Sequence, residues 1–367
     1  MNIPDGIFKS GEKAIFSLRS LYRQYGYMQY KMSKFEEYDL YVGNKNFLVS
    51  DNVITFNDID GKLMALKPDV TLSIVHNSPE HIKGVRKLCY NENVYRVPKG
   101  GISYKEIMQT GLECIGEVDE YLVAESITLA VKSLALISDD FALDVSHLGL
   151  LSKALELTGV SDEAKKRLVA CVAAKNVNGV ASVCATEGVK AENAKALIAL
   201  VSSRGTPEKV LAELRGVFKD EESLAMIDST GRILSAVPCG NINIDFSVTG
   251  DMNYYNGIVF KGFVNSLPSA LLSGGQYDNL MRRMGKRSRA VGFALYLDLL
   301  ESLTGEPEEF DVDTALVYPE GTPASAVAKA AERLIESGAE VTVLPSVPEK
   351  LRCRRIIKLN GDGEIIV

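Results

Sequence analysis

Histidine and paired cysteines are both scarce in this sequence of 367 residues. There are only three histidines, His76, His81 and His147, which leaves little material for a zinc site or a histidine-based catalytic triad. The six cysteines are scattered and form no C-x-x-C pair, a pattern typical of reduced thiols in a cytoplasmic protein. We therefore expect a cytoplasmic protein with no metal site and no cofactor.

Long apolar runs and an excess of basic charge are also missing. No apolar run approaches the roughly 20 residues needed to span a bilayer, and residues 1–11 lack the apolar core of a signal peptide. The net charge is -7 and the pI about 5.3. Proteins that bind tRNA normally present a basic surface to its phosphates. The net negative charge of this chain therefore argues against tRNA as a partner. We expect no membrane partner either.

The order of predicted elements indicates the fold class. The length suits two or three domains. Residues 1–147 and 237–305 are predicted to form an α+β body, an antiparallel sheet with flanking helices. Residues 148–236 are rich in Ala, Lys, Glu and Leu and lack strand patterns, so we predict a helical insertion there. An acidic, proline-containing linker precedes residues 311–367, which are predicted to form a small α/β unit.

Several local predictions are specific enough to be tested by the structure. We predict strands at residues 46–49, 241–248 and 253–263 from their alternating or apolar patterns. Residues 291–303 are predicted to be a helix. Residues 356–359 and 364–367 are predicted to form a hairpin that ends the small α/β unit.

Two short segments carry polar side chains suited to a small ligand. Asp69 and Thr71 offer a pair of acceptors to an ammonium group, although Asp69 would equally suit the first turn of a helix. Gln109, Gly111 and Glu113 follow one another at i, i+2 and i+4, so they face the same side of a strand. The glycine leaves room between two long polar groups, which favours a binding site, but a solvated strand face is the alternative.

Taken in order, these segments and others resemble the signatures of histidyl-tRNA synthetases, which are class II aminoacyl-tRNA synthetases. The matching segments are residues 11–36, 66–71, 94–113, 253–260, 273–278 and 290–300. The resemblance covers roughly residues 4–303, with a weaker match of residues 311–345 to the first part of the anticodon-binding domain. It implies the class II fold, a dimer interface built by residues 11–36, and a C-terminal domain that is cut short.

The resemblance also implies a pocket that recognises histidine. Its candidate histidine-binding residues are Asp69, Thr71, Gln109, Glu113, Tyr254 and Tyr255. In that family the acid and the threonine hold the amino group of histidine, and a buried glutamate pairs with the imidazole N–H. Arg96 stands where the family has an arginine that contacts ATP phosphate.

The nucleotide half of the site departs from the family. Gly250 stands in the place of an arginine that stabilises negative charge, and Leu299 stands in the place of the arginine that clamps ATP. The usual G-x-E-R-L ending of the third signature is therefore lost, with Asp298 at its acid. Because amino-acid activation depends on arginines and Mg²⁺ to neutralise triphosphate charge, we predict no catalytic residues and a vestigial nucleotide site at Arg96.

A synthetase-like body with a kept histidine pocket, a damaged ATP site and a shortened end resembles the regulatory subunits of ATP phosphoribosyltransferase. That resemblance implies a non-catalytic subunit that pairs with the short form of the catalytic subunit, usually as a hetero-octamer. It also implies self-association through the synthetase-like dimer interface and histidine as the ligand. In that family the subunit is required for the first step of histidine biosynthesis and transmits feedback inhibition by histidine.

Three alternatives stay open at this point. The chain could be an active histidyl-tRNA synthetase, against which the missing arginines and the short C-terminus argue. It could be a synthetase-like protein that senses histidine or binds RNA without a phosphoribosyltransferase partner. It could also activate a free amino acid to modify another protein. Within the regulatory family, histidine could bind a subunit interface instead of the synthetase-like pocket.

Overall fold

A computed structural model describes residues 10–44, 48, 53–97, 102–238, 240–250, 252, 254–302 and 310–366. The chain divides into two compact units, Met1–Leu303 and Thr304–Val367. In the part of the chain that the structure describes, no helix is long and apolar enough to cross a membrane. The described cysteines are free thiols, as predicted: Cys89, Cys114, Cys171, Cys184 and Cys353.

Antiparallel strands dominate the larger unit. Its strands are β1 (Met28–Gln29), β2 (Phe35–Glu37), β3 (Thr55–Asn57), β4 (Leu63–Leu66), β5 (Val85–Arg96), β6 (Lys105–Gly116), β7 (Phe141–His147), β8 (Arg204–Gly205), β9 (Ile242–Asp245), β10 (Ile258–Val264), β11 (Leu272–Gln276) and β12 (Arg289–Tyr296). Nine of them form one sheet in the order β1-β5-β6-β12-β11-β10-β7-β9-β8. Every pairing from β5 across to β7 is antiparallel. The predicted α+β class is confirmed.

Helices cover both faces of this sheet. They are α1 (Ser10–Gln24), α2 (Tyr38–Val42), α3 (Val70–His76), α4 (Glu120–Ala135), α5 (Leu148–Thr158), α6 (Asp162–Ala173), α7 (Val177–Thr186), α8 (Ala191–Ser202), α9 (Pro207–Val217), α10 (Glu221–Ser235) and α11 (Asp278–Arg283). Helix α4 begins where the Asp119 side chain accepts a hydrogen bond from the Leu122 N–H. Its apolar residues pack against one face of the sheet and form the main core.

A second core lies on the opposite face of the sheet. It packs α3 and α11 against β5 and β6 through residues such as Leu72, Tyr90 and Leu280. A separate three-stranded antiparallel sheet, in the order β2-β4-β3, borders this core through Ala65. Strand β6 contributes to both cores because alternate residues face opposite sides: Leu112 packs into the main core and Ile115 into the second.

Residues 148–235 are mostly helical, as predicted. Helices α5 to α10 follow one another through this segment. The prediction is wrong at one point, because Arg204 and Gly205 form β8 and extend the central sheet beside β9. Two residues are too few to show an alternating pattern, so the sequence gives no sign of this strand. The boundaries 148 and 236 of the insertion remain a prediction.

The predicted helix at residues 291–303 is wrong. Strand β12 occupies this place and is followed by a 3₁₀ helix, Leu297–Ser302. Because β12 lies between β6 and β11 and both of its faces are covered, it lacks the polar alternation that marks a half-exposed strand. A continuous apolar run of this length is compatible with either a buried strand or a buried helix.

Three other strand predictions need adjustment. The strand predicted at 241–248 is limited to β9, since the chain turns after Asp245. The strand predicted at 253–263 begins only at Ile258, in β10. In the strand predicted at 46–49, only Leu48 lies inside the described residues, and it is in a bend.

The smaller unit is a three-stranded parallel sheet with one helix. Its elements are β13 (Val312–Val317), α12 (Ala324–Glu336), β14 (Val341–Leu344) and β15 (Cys353–Lys358). Val327 and Ala330 of α12 pack on Leu316, which confirms the predicted strand–helix–strand unit. The predicted final hairpin is confirmed over a short length: the chain turns after β15 and returns antiparallel to its end, with a bridge between Leu359 and Ile365 and a hydrogen bond from the Ile366 N–H to the Lys358 carbonyl oxygen. The sequence did not indicate that β15 also pairs in parallel with β13.

One buried carboxylate ties the helical segment to the central sheet. Asp245, at the end of β9, is 3% exposed. It receives a hydrogen bond from Lys175 Nζ at 2.5 Å and lies 3.3 Å from Arg204 Nε. Burial acts to raise the pKa of Asp245, but the hydrogen bonds from Lys175 and Ser247 outweigh it and hold the pKa below its usual value.

We predict that Asp245→Asn lowers the free energy of unfolding by about 1–3 kcal/mol at pH 7, because it leaves two cations without their shared partner. A carboxylate with a lowered pKa stabilises the fold above its unfolded pKa, so the deficit should shrink as the pH falls below about 4. Urea unfolding at pH 7 and pH 3.5 measures this. The exposed Asp139→Asn is the control; a deficit equal to that of the control would contradict the assignment.

Candidate functional site

A cavity of about 620 Å³ lies on the face of the sheet that carries the second core. All seven residues predicted for the histidine and nucleotide sites line it: Asp69, Thr71, Arg96, Gln109, Glu113, Tyr254 and Tyr255. They come from β5, β6, α3 and the segment before β10, which are far apart in sequence. The antiparallel sheet brings them together, and their role in binding histidine stays a prediction.

Two glycines lie beneath polar side chains that line this cavity. A Cβ atom at Gly111 of β6 would lie 2.6 Å from the Tyr90 hydroxyl and 2.2 Å from the Phe293 carbonyl oxygen. A Cβ atom at Gly292 of β12 would lie 1.9 Å from Glu113 Oε2. No other residue fits at either place, because backbone atoms stand in the way. The glycines therefore make the space into which Glu113 and Tyr90 project.

Glu113 is the most buried polar group of the cavity, at 1% exposure. Its two carboxylate oxygens accept hydrogen bonds from Thr71 Oγ1 at 2.7 Å and from the Tyr277 hydroxyl at 2.5 Å. Burial raises the pKa of Glu113 to about 8, against the lowering effect of these two hydrogen bonds. Gln109 on the same strand face is 4% exposed, so the alternative of a solvated strand face is wrong.

Asp69 caps a helix and also lines the cavity. Its Oδ1 accepts a hydrogen bond from the Leu72 N–H at 2.8 Å and so caps α3. Its other oxygen lies 4.0 Å from Arg96 Nη1 and lines the cavity. Burial raises the pKa of Asp69, and Arg96 opposes that rise. A bound ammonium group would supply the second positive charge that this carboxylate lacks.

Arg96 ends β5 and is 6% exposed. Its Nη1 donates to the Pro68 carbonyl oxygen at 3.5 Å, and its guanidinium donates to the Tyr296 hydroxyl. These contacts hold the positive charge near Gln109, since Gln109 and Tyr296 are direct partners across β6 and β12. A guanidinium and an amide at one end of the cavity suit a carboxylate ligand.

Tyrosine side chains form the walls of the cavity. The Tyr254 ring lies 4.6 Å from the Tyr255 ring and 5.9 Å from the Tyr277 ring, centroid to centroid. Burial raises the pKa of Tyr254 and Tyr277 well above the usual value, so both keep their protons at neutral pH. Sequence reasoning missed Tyr90, Tyr277 and Tyr296. The SGGQYD segment contains Tyr277, but only the folded sheet shows that its hydroxyl reaches Glu113.

The residues at the positions of the family's ATP-binding arginines, Leu299 and Gly250, carry no charge. Leu299 is partly buried and packs against the main hydrophobic core. Gly250 lines the cavity with a backbone φ of +58° and offers no charge. Arg232 pairs with Glu120 and Arg282 with Asn279, so neither is placed to replace the missing guanidinium. Lys261 of β10, which sequence reasoning did not single out, adds a cation to the cavity wall.

The chemistry of the cavity suits a small zwitterion with a ring N–H. Acceptors for an ammonium group come from Asp69 and Thr71, and an acceptor for a ring N–H comes from Glu113. Arg96 and Gln109 face a carboxylate. Among the described residues, no group of His, Cys, Asp and Glu side chains could hold a metal ion.

Comparison with known proteins bears on both fold and family. The histidyl-tRNA synthetase family model matches residues 8–300. An ATP phosphoribosyltransferase regulatory subunit from Thermoanaerobacter sp. (strain X514) is 30% identical over 314 residues, 81% of each chain. A histidine–tRNA ligase from Methanocaldococcus jannaschii is 27% identical over 345 residues, covering 91% of this chain and 82% of that protein.

Solved structures show the same fold. One is described as an ATP phosphoribosyltransferase regulatory subunit/histidyl-tRNA synthetase from Bacillus halodurans; it has a TM-score of 0.77 and 21% identity, and covers 98% of this chain and 100% of its own. A chain of the ATP phosphoribosyl transferase (HisG:HisZ) complex from Thermotoga maritima has a TM-score of 0.61 and 18% identity, covering 81% of this chain and 98% of its own.

We predict that Glu113→Gln makes stability less sensitive to pH. Between its usual pKa of 4.5 and the folded pKa of about 8, Glu113 is ionised in the unfolded chain but protonated in the fold. Raising the pH through this window therefore lowers the free energy of unfolding. The free energy of unfolding of Glu113→Gln, relative to that of wild type, should therefore rise by a few kcal/mol between pH 5 and pH 8. Denaturant unfolding at several pH values measures this gain.

The exposed Glu117→Gln is the matched control and should follow the wild-type pH profile. A Glu113→Gln profile parallel to that of wild type would show that Glu113 titrates normally and is not desolvated.

Proposed function

The chain belongs to the family of ATP phosphoribosyltransferase regulatory subunits within the histidyl-tRNA synthetase-like proteins, and on that premise we propose how it acts. It is a non-catalytic subunit of the first enzyme of histidine biosynthesis. It pairs with the short form of the catalytic subunit and is required for its activity. Histidine binds the cavity described above and inhibits the complex.

The observation that carries this proposal is the contrast between the two halves of the cavity. The half that suits an amino acid largely keeps the polar groups that the family pattern calls for, and these groups line one cavity. At the position of the ATP-clamping arginine, Leu299 packs into the core. A leucine cannot neutralise a triphosphate, and each lost charged contact costs about 3–4 kcal/mol of transition-state stabilisation.

Histidine is the ligand that the cavity supports best. Glu113 would accept the imidazole N–H while Asp69 and Thr71 accept from the ammonium group. The ring would lie among Tyr254, Tyr255 and Tyr277, which exclude water from the Glu113 carboxylate. Burial strengthens these hydrogen bonds, because the electrostatic attraction between donor and acceptor is stronger where the local dielectric is low. For the same reason, a polar group left unpaired in the cavity would be costly.

Regulation follows from linkage. A ligand shifts an equilibrium only if it binds one conformation better than another. Histidine would bridge α3, β6 and the segment before β10, and so favour the arrangement of the assembly in which these elements are close together. Inhibition then requires that this arrangement also holds the catalytic subunit in its inactive state.

The names of relatives support the partner. The Thermoanaerobacter protein is called a regulatory subunit of ATP phosphoribosyltransferase. The Thermotoga maritima structure is described as a HisG:HisZ complex. By extension, we propose that this chain assembles with its own catalytic subunit, self-associates through the synthetase-like dimer interface and forms a hetero-octamer.

The main rival is an active histidyl-tRNA synthetase, since the relative from Methanocaldococcus jannaschii bears that name. That function requires ATP–pyrophosphate exchange by the purified chain in the presence of histidine. A second rival is a histidine-sensing or RNA-binding protein with no phosphoribosyltransferase partner. It predicts that the chain and the catalytic subunit do not co-purify.

We predict that co-expression with the short catalytic subunit from the same genome yields a stable complex. Phosphoribosyl transfer from phosphoribosyl pyrophosphate to ATP should depend on the chain and be inhibited by histidine. In the same complex, Glu113→Gln should weaken inhibition by roughly 10- to 100-fold, because the amide replaces one oxygen with a donor group and leaving a buried polar group unpaired costs about 1–3 kcal/mol. Steady-state assays over a histidine titration measure both effects.

Glu117→Gln serves as the control and should be inhibited like wild type. Transfer activity unchanged by the chain would exclude the regulatory role. Histidine sensitivity unchanged in Glu113→Gln would place the inhibitory site elsewhere, such as a subunit interface.

A further inference from the structure

The register of β6 with β12 sets the order of polar residues along the cavity. In the register of β6 with β12, Glu113 lies opposite Gly292, Gly111 opposite Ala294, and Gln109 opposite Tyr296. Alternate residues share a face, and all of these except Gly111 line the cavity. Glu113 stands at one end, and the pair of Gln109 and Tyr296 stands at the other. Between them lie Gly292, Ala294 and Gly111, with the Tyr90 hydroxyl above Gly111.

This arrangement fixes the direction and length of a ligand. From Glu113 to Gln109 the strand rises about 13 Å, at roughly 3.3 Å per residue. Side chains reach inward from both ends and shorten this space. An amino acid whose side chain meets Glu113 therefore places its carboxylate at Gln109 and Arg96. A group joined to that carboxylate would lie against Tyr296, which lines the cavity beside Gln109.

Tyr296 is firmly held in this position. It is the last residue of β12, and its N–H donates to the Leu271 carbonyl oxygen at 2.9 Å. Its hydroxyl accepts a hydrogen bond from Arg96, whose guanidinium also contacts Asp69 and Pro68. The ring cannot swing away without breaking the contact that also orients Arg96. Counted back from Leu299, Tyr296 stands at the glycine of the G-x-E-R pattern.

We propose that Tyr296 is a specificity-determining residue that limits the cavity to a free amino acid and excludes a nucleotide joined to its carboxylate. The inference rests on the proposed function, because it assumes that the cavity binds histidine. It assigns two parts to one side chain: the ring blocks the exit beyond the carboxylate, and the hydroxyl orients Arg96 toward the carboxylate.

The ring and the hydroxyl can be separated by substitution. Tyr296→Phe keeps the block and removes the hydrogen bond to Arg96. Tyr296→Gly removes both, and Tyr296→Ala is the substitute if the glycine variant does not fold. Thermal unfolding identifies folded variants before any binding is measured.

Isothermal titration of the chain with two probes tests the proposal. The probes are histidine and histidyl-sulfamoyl-adenosine, a stable analogue in which adenosine is joined through the histidine carboxylate. Wild type should bind histidine and reject the analogue. Tyr296→Phe should bind histidine several-fold more weakly and still reject the analogue. Tyr296→Gly should raise the affinity for the analogue relative to histidine at least tenfold.

The opposite results overturn the inference. Wild type that binds the analogue as tightly as histidine shows that Tyr296 does not block the exit. If the affinity for the analogue relative to histidine is unchanged in Tyr296→Gly or Tyr296→Ala, Tyr296 does not block the exit either. If wild type binds no histidine, the proposed ligand fails, yet the variants still decide the role of Tyr296: gain of analogue binding supports the block, and no gain contradicts it.

Discussion

The burial of the Glu113 carboxylate is the constraint on which the rest of the site depends. A carboxylate at 1% exposure is tolerated only with hydrogen-bond donors at both oxygens, here Thr71 and Tyr277. Those donors must come from α3 and from the start of α11, so both segments have to pack on this face of the sheet. Gly292 must lack a side chain because Glu113 occupies that space. A ligand with an N–H group relieves the desolvation that this arrangement imposes.

If, as we propose, the chain binds histidine without activating it, the two halves of the cavity show how one scaffold loses chemistry and keeps recognition. Recognition of an amino acid uses groups built into strands and a helix start, such as Gln109 and Asp69, which also stabilise the fold. Handling a triphosphate uses long cations that contribute little to the fold, so their loss leaves it intact. Leu299 even adds to the core. A regulatory subunit needs the first set of groups and not the second, which agrees with the family to which the chain belongs.

Much of the site could be predicted from the sequence because its residues follow local rules. The i, i+2, i+4 spacing placed Gln109, Gly111 and Glu113 on one strand face, and the turn before α3 placed Asp69 at a helix start. Contacts across the sheet could not be predicted from the sequence. The hydrogen bond from Tyr277 to Glu113 and the pairing of Tyr296 with Gln109 depend on strand register. The same limit explains the error at residues 291–303, where an apolar run covered on both faces has no helix or strand signature.

The position of histidine in a crystal structure of the chain grown with that amino acid tests the central claim most directly. The account predicts the imidazole within hydrogen-bond distance of Glu113, the ammonium group against Asp69 and Thr71, and the carboxylate facing Arg96. Histidine found at a contact between subunits, with Glu113 still bonded to Thr71 and Tyr277 in an empty cavity, would contradict it.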